Sequence, residues 1–166
     1  NMVRWGINKL RDTLPSHARV TLHEVMGRRC GDIALYAGVA GGAEYVLVPE
    51  VPFDIDAIAS SIRKSRMRGK TSNMIVLAEG AGNRDEICAA IKEKTGIGPK
   101  VTVLGHIQRG GSPTMADRIL AGKFGVKAVD VLRDSKTESC AVGIRHNKII
   151  AVSFDEVFAA EKRFDM

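Results

Sequence analysis

Cysteine is scarce in this 166-residue chain: there are three, Cys30, Cys88 and Cys140, far apart and with no C-x-x-C pair. That spacing excludes a disulfide framework and a cysteine zinc site, and it reads as free thiols in a reducing cytosol. Aromatic residues make up only 5%, too few for a base-stacking platform. No apolar run reaches the roughly 18 residues that a membrane-spanning helix needs. The opening stretch NMVRWGINKLRDTLPSHARV has neither an apolar core segment nor a small-residue cleavage site, so it does not read as a signal peptide. There is no G-x-x-x-x-G-K-[ST] loop and no G-x-G-x-x-G after a strand; GVAGG at 38–42 follows a helix. No nucleophile–base pair is evident either.

What remains is an ordinary globular composition, 45% hydrophobic and 27% charged. A chain this long fits one domain, or one domain plus a piece of a second, and can bury about two-thirds of its unfolded surface. The formal net charge is +6, which points to an anionic partner, either nucleic acid or small anions. The basic residues are spread along the chain, with one local cluster, RKSRMRGK at 63–70. That cluster also reads as a solvated helix end. With so few aromatics, separated arginines beside glycines favour pockets for phosphorylated metabolites over nucleic acid.

The pattern along the chain alternates. A helix is expected over 3–13, then a strand over 19–26 with Val20, Leu22, Glu24 and Met26 on one face. A helix over 31–40 follows, with Asp32 in its first turn, and then a short buried parallel strand at 45–49. Asp54 is a good N-cap for a helix over 55–67, where Ile55, Ile58 and Ile62 share a face and Gly69 closes the end. A buried strand at 73–80 precedes a helix over 84–95, capped by Asn83, closed by Gly96, with Ile87, Ala90 and Ile91 inward. The strand VTVL at 101–104 leads to a long helix from Pro113 to about Leu132. Two strands joined by RHNK and a short helix over 154–163 complete the chain. This alternation predicts an α/β fold with a largely parallel sheet and helices on both faces.

In such sheets ligands gather beyond the carboxyl ends of the strands. The loops at those ends read MGRRCGD (26–32), AEGAGN (78–83) and GHIQRGGSP (105–113). Each sets glycine beside a polar or charged side chain, so backbone N–H groups can approach a ligand closely. Arg28 and Arg109 offer planar forks for a phosphate. His106 can donate near neutral pH, and Glu79 can accept from sugar hydroxyls. Ser112 and Pro113 are expected to open a helix whose first amides favour an anion. Taken singly, each arginine reads better as a solvated residue and His106 as a structural histidine, and Glu79 can be read as a helix cap. Their coincidence at three strand ends favours a sugar-phosphate site.

HEVMGRRCGDIALYAGVAGGAEYVLVPE (23–50) and VTVLGHIQRGGSPTMADR (101–118) resemble 6-phosphofructokinase of the bacterial ATP-dependent type, and GHIQRGGSP is close to that family's signature. The likeness runs over the whole chain and matches the C-terminal half of the family's chain. It implies a three-layer, Rossmann-type sandwich of the phosphofructokinase kind. Residues 1–108 would form the fructose 6-phosphate domain, and 109–162 would pack on an N-terminal ATP-binding domain. It implies that Met26, Gly27, Arg28, Glu79, His106 and Arg109 contact the substrate, and that Arg19 and Lys100 reach a neighbouring subunit's site. It also implies a site for an allosteric nucleotide or phosphoenolpyruvate at Arg11, Gly42, Glu44, Arg68 and Lys70, with Glu44 near an effector-bound Mg²⁺.

The resemblance further implies a cytoplasmic, glycolytic homotetramer that uses ATP and Mg²⁺, both held by N-terminal motifs absent here along with the catalytic base. The chain alone is therefore expected to be an inactive fragment of phosphoryl transfer from ATP to the sugar 1-hydroxyl. Three departures from the family pattern, Ala18 for Glu, Lys100 for Arg and Ser72 for His, imply a blunted allosteric switch and an altered 6-phosphate contact. The alternative reading is a non-catalytic sugar-phosphate-sensing module or pseudo-subunit. No nucleic acid or membrane partner is expected.

Overall fold

Every side chain of the segment NMIVLA is buried, the mark of a strand covered on both faces. In the computed structural model, which describes residues 1–12, 19–134 and 139–160, this is β3 (Asn73–Ala78), an inner strand of a parallel sheet. The departure noted at Ala18 lies outside the described residues.

The elements around it follow the alternation: α1 (Met2–Arg11), β1 (Val20–Val25), α2 (Asp32–Gly41), β2 (Tyr45–Leu47), α3 (Ile55–Met67), β3, α4 (Arg84–Thr95) and β4 (Lys100–Val103). Strand order is β2-β3-β1-β4. The register runs from Val20↔Asn73 to Val25↔Ala78 between β1 and β3. It runs from Thr21↔Lys100 to Glu24↔Val103 between β1 and β4, and from Tyr45↔Ile75 to Leu47↔Leu77 between β2 and β3.

The helix ends form as the sequence chemistry predicts. Asp54 accepts from the Asp56 amide at 2.8 Å, and Asn83 accepts from the Asp85 and Glu86 amides at 2.9 and 3.3 Å. Gly69 and Gly96 take positive φ at the ends of α3 and α4. Ile58 and Ile62 of α3 and Ile87 and Ile91 of α4 pack with Val20, Leu22, Leu47, Ile75 and Leu77 on one face of the sheet. Ala90, expected inward, is only half-buried. α1 packs on α2, and α2 on β2 and β3.

The strands differ in burial. β1 is covered on both faces: Thr21 and His23 are buried, as are Val20 and Leu22. It lies between β3 and β4 under helices on both sides, and such strands lose the period-2 signal. Met26 lies beyond its end. β2 is not an inner strand but the sheet edge, three residues long with only Leu47 buried. β4 forms the other edge, and Val101 and Val103 are exposed.

By compactness the chain divides at Gly111/Ser112. The second unit holds α5 (Met115–Arg133), an antiparallel hairpin of β5 (Cys140–Arg145) and β6 (Lys148–Ser153), and α6 (Phe154–Ala159). His146 and Asn147 both have positive φ, 48° and 59°, as a two-residue hairpin turn of the favoured hand demands. No residue of α5 is buried. Residues 161–163 of the expected last helix lie outside the described residues.

Candidate functional site

In a parallel sheet every strand ends at the same edge, so the connections after β1, β2, β3 and β4 meet there. Val25 and Ala78 are register partners at that edge. The Glu79 amide donates to the Val25 carbonyl at 2.9 Å and the Gly80 amide to the Gly27 carbonyl at 3.0 Å, which knits the loop after β3 to the loop after β1. Two glycines make this approach feasible. A Cβ on Gly80 would fall 1.8 Å from the Arg28 carbonyl oxygen, and one on Gly27, at φ +142°, 2.4 Å from that of Cys30.

The side chains that point to chemistry meet on this scaffold. Glu79 Oε1 lies 3.5 Å from the Gly27 amide, a long hydrogen bond, and 3.9 Å from Arg28 Nε. The Arg28 side chain is 88% exposed, so this ion pair holds it weakly, on the order of 0–1 kcal/mol, and the guanidinium is free to turn to a ligand anion. His106 and Arg109 lie on a single 3₁₀ turn (Gly105–Arg109) rather than an open loop. Both are exposed. The turn is brought beside the loop after β1 because Gln108 Oε1 accepts from the Met26 amide at 3.0 Å. Met26, Gly27, Arg28, Glu79, His106 and Arg109 thus lie at one edge of one sheet. They provide two guanidinium groups, one imidazole, one carboxylate and several glycine amides, a set suited to a phosphate and to hydroxyls.

The expected helix-end contribution to an anion site differs. α5 begins at Met115, not at Pro113, with Thr114 as its cap. Thr114 Oγ1 accepts from the Asp117 amide at 3.3 Å, and Asp117 Oδ2 accepts from the Thr114 amide at 2.8 Å and its hydroxyl at 2.7 Å. These bonds hold the Asp117 carboxyl below its ordinary pKa. The helix start therefore already carries a carboxylate where an anion was expected.

Two residues of the edge escape a reading that looks for charge beside glycine. One is Gln108. The other is Glu50, whose carboxylate oxygens accept from the Gly31 amide at 2.9 and 3.1 Å at the start of α2. Glu50 lies just beyond β2 in VPE, a position with no motif to mark it. Beneath the edge, Glu24 is half-buried and lies 3.7 Å from Arg84. Arg84 is also bonded to Asp85, and that pairing raises the arginine pKa and lowers the aspartate's. Burial pushes the Cys88 thiol pKa up. A groove of 420 Å³ runs along α1 and α2, past Met2, Ile33, Tyr36 and Gln108; it meets this edge at Asp32 and Gln108.

The remaining predicted residues lie at the opposite edge. Arg19 directly precedes β1, and Lys100 begins β4 as the register partner of Thr21. The five steps of β1 that separate this edge from the loops span about 17 Å, so Arg19 and Lys100 lie at the far end of the sheet from Met26–Arg28. Arg11 donates to the Gly41 carbonyl at 3.1 Å, beside Gly42. Lys70 Nζ meets Glu44 Oε1 at 2.6 Å, and Glu44 Oε2 accepts from the Met74 amide at 2.5 Å. Arg68 is the C-terminal cap residue of α3, and Ser72 is half-buried just before β3. Arg11 and Gly42 thus meet, as do Glu44 and Lys70. Within this chain the Glu44 carboxylate is matched by an ammonium and an amide. Among the described residues no group of three acidic, histidine or cysteine side chains could hold a metal ion. No helix among them is long and apolar enough to cross a membrane.

The phosphofructokinase family model matches residues 1–132. The ATP-dependent 6-phosphofructokinase of Clostridium tetani is 52% identical over 165 residues, which are 99% of this chain and 51% of that one. ATP-dependent 6-phosphofructokinase 1 of Clostridium perfringens is 53% identical over the same shares. The chain spans about half the length of the curated relatives it matches. Among solved structures, phosphofructokinase from Saccharomyces cerevisiae superposes with a TM-score of 0.84 at 37% identity, over 93% of this chain and 23% of that one. A pyrophosphate-dependent phosphofructokinase from Marinobacter aquaeolei has the same fold, with a TM-score of 0.75 at 21% identity over 98% and 48% of the two chains.

Proposed function

The chain belongs to the phosphofructokinase family, and from that premise we propose that it is the fructose 6-phosphate-binding, C-terminal half of an ATP-dependent 6-phosphofructokinase. The observation that carries this is the meeting of three loops at one sheet edge, with Met26, Gly27 and Arg28 joined to Glu79 and, through Gln108, to His106 and Arg109.

In this reading Arg28, His106 and Arg109 supply positive charge and donors to the sugar phosphate, and Glu79 accepts from hydroxyls. ATP and Mg²⁺ supply the phosphoryl group and its charge neutralisation from the portion of the protein outside this chain, which also supplies the base at the 1-hydroxyl. What this chain's residues do is bind the acceptor and hold it still, a contribution that lowers the entropic barrier to transfer. The whole protein then acts in glycolysis.

The proposal extends to assembly. Arg19 and Lys100 lie too far from this chain's own loops to share their ligand, so they act on a second subunit's substrate, in a homotetramer. Lys100, a point charge, makes a less directional phosphate contact than an arginine fork. Arg11, Gly42, Glu44, Arg68 and Lys70 take a phosphorylated effector at the opposite edge, where the anion competes with Glu44 for Lys70. Residues 109–162 pack on the other half of the protein. In support, α5 presents Met115, Ile119, Val126 and Val129 exposed on one helical face, at spacings of four, seven and three, a face that wants a partner.

The test is calorimetric titration of the 166-residue chain with fructose 6-phosphate, beside Arg109→Ala. Binding by the parent and a loss of at least about tenfold in the variant, the value of one charge-assisted contact, are expected. A cooperatively folded chain that does not bind overturns the site.

A further inference from the structure

The turn that carries His106 and Arg109 is poorly anchored by its own side chains. None of its five residues is buried, and Ile107, the one aliphatic side chain in it, is 54% exposed. The last core contact before it is Leu104, at 7% exposure. Hydrophobic burial therefore does not fix where the turn stands relative to the loop after β1. A polar contact has to do so.

The backbone shows where that contact is needed. β4 pairs with β1 as far as Glu24↔Val103, and the Leu104 amide donates to the Glu24 carbonyl at 3.1 Å. If the parallel ladder continued, the next rung would run from the Met26 amide to a β4 carbonyl. β4 has already left the sheet for the 3₁₀ turn, begun by Gly105 at φ +50°. The acceptor that meets the Met26 amide is instead Gln108 Oε1, at 3.0 Å and part-buried. The same side chain donates through Nε2 to the Gly105 carbonyl at 2.9 Å. One carboxamide thus makes the missing rung with its oxygen and holds its own turn closed with its nitrogen. Only a side chain that has both an acceptor and a donor can do this.

We propose that Gln108 is a positioning residue for the sugar-phosphate site, holding the turn of His106 and Arg109 in register with Met26, Gly27 and Arg28. The inference rests on the reading of that edge as the fructose 6-phosphate site. Gln108 need not touch the sugar: it fixes the spacing between two loops that a single ligand must bridge, so that the binding-competent arrangement is the populated one.

Two variants separate this role from a general contribution to folding. Gln108→Met keeps volume and reach and removes both hydrogen bonds. Gln108→Glu keeps an acceptor for the Met26 amide and removes the donor to Gly105. Amide hydrogen exchange and titration with fructose 6-phosphate are measured on the whole 166-residue chain and both variants. In Gln108→Met the Met26 amide is expected to exchange about tenfold faster, from the loss of one part-buried bond, with Ile75 and Leu77 of β3 unchanged. Its affinity should fall by about tenfold. Gln108→Glu should restore protection at Met26.

Unchanged protection of Met26 in Gln108→Met overturns the proposal, and so does a freed amide with unchanged affinity. If the parent chain itself does not bind, the sugar-phosphate reading fails, and the positioning role fails with it. The Met26 amide then still reports whether the rung exists, so the two failures are told apart.

Discussion

His23 points from β1 into the face of the sheet covered by α1 and α2, at 1% exposure, with neither ring nitrogen hydrogen-bonded among the described residues. Its register partners are Val76 and Thr102, which offer it no charge. Burial pushes its pKa from 6.5 down to about 4. Folding therefore favours the neutral ring. Stability is full above the unfolded-state value near pH 6.5 and is lost as pH falls from there towards 4, by about 3 kcal/mol across that window. Replacing His23 by Leu removes two unpaired polar atoms from the core as well as the proton site. Urea denaturation at pH 5 and pH 8 should show a smaller difference in midpoint for His23→Leu than for the parent. An equal difference would mean that other groups carry the acid sensitivity.

At the scale of the element, helix caps do similar chemistry with unequal consequences. Asn83 satisfies two amides at the start of α4, and α4 places Ile87 and Ile91 in the core. Asp85 and Glu86 lie in its first turn and Lys92 and Lys94 in its last, both favourable to the helix dipole. Because this helix is a wall of the core, loss of its cap is felt by the whole first unit. Asn83→Ala should lower the unfolding free energy by about 1 kcal/mol, read as a lower urea midpoint with an unchanged m-value. α5 has the fuller capping box, at Thr114 and Asp117, yet buries nothing. Local chemistry alone shapes its start, which explains why the helix begins two residues later than Pro113: Thr114 can accept from the Asp117 amide and a proline cannot.

Across the whole molecule, the sheet has two polar ends with different charge arithmetic. The carboxyl edge has Arg28 and Arg109 against Glu79, with weak internal pairing. The opposite edge has Arg11, Arg19, Arg68, Lys70 and Lys100 against Glu44, which is tightly engaged by Lys70 and the Met74 amide. A ligand anion at the first edge meets cations that are free to turn to it, whereas at the second it must first compete with a carboxylate. The second unit adds a stripe in which Met115, Ile119, Val126 and Val129 are exposed along α5. Exposed apolar side chains in one row associate. Sedimentation of the 166-residue chain should show concentration-dependent self-association that the double substitution Val126→Gln, Val129→Gln reduces. A chain that stays monomeric at all concentrations would count against that face as an interface.

The alternation of elements, the caps at Asp54 and Asn83, the glycine stops at Gly69 and Gly96, and the three loops of the candidate site are all legible in the order of residues. These are local matters, set by hydrophobic period, side-chain-to-amide geometry and positive φ, all of which act within a few residues. The tertiary structure alone decided which strands are inner and which are edges, because burial on both faces erases the alternation in β1, and apolar content does not mark β2 or β4 as an edge. It alone brought His23 into the core with no hydrogen-bond partner among the described residues and set Glu50 against Gly31. Gln108 is the clearest case. It meets Met26 across 82 residues of sequence, as a replacement for a rung that β4 no longer supplies, and no pattern within either loop could show that the rung was missing.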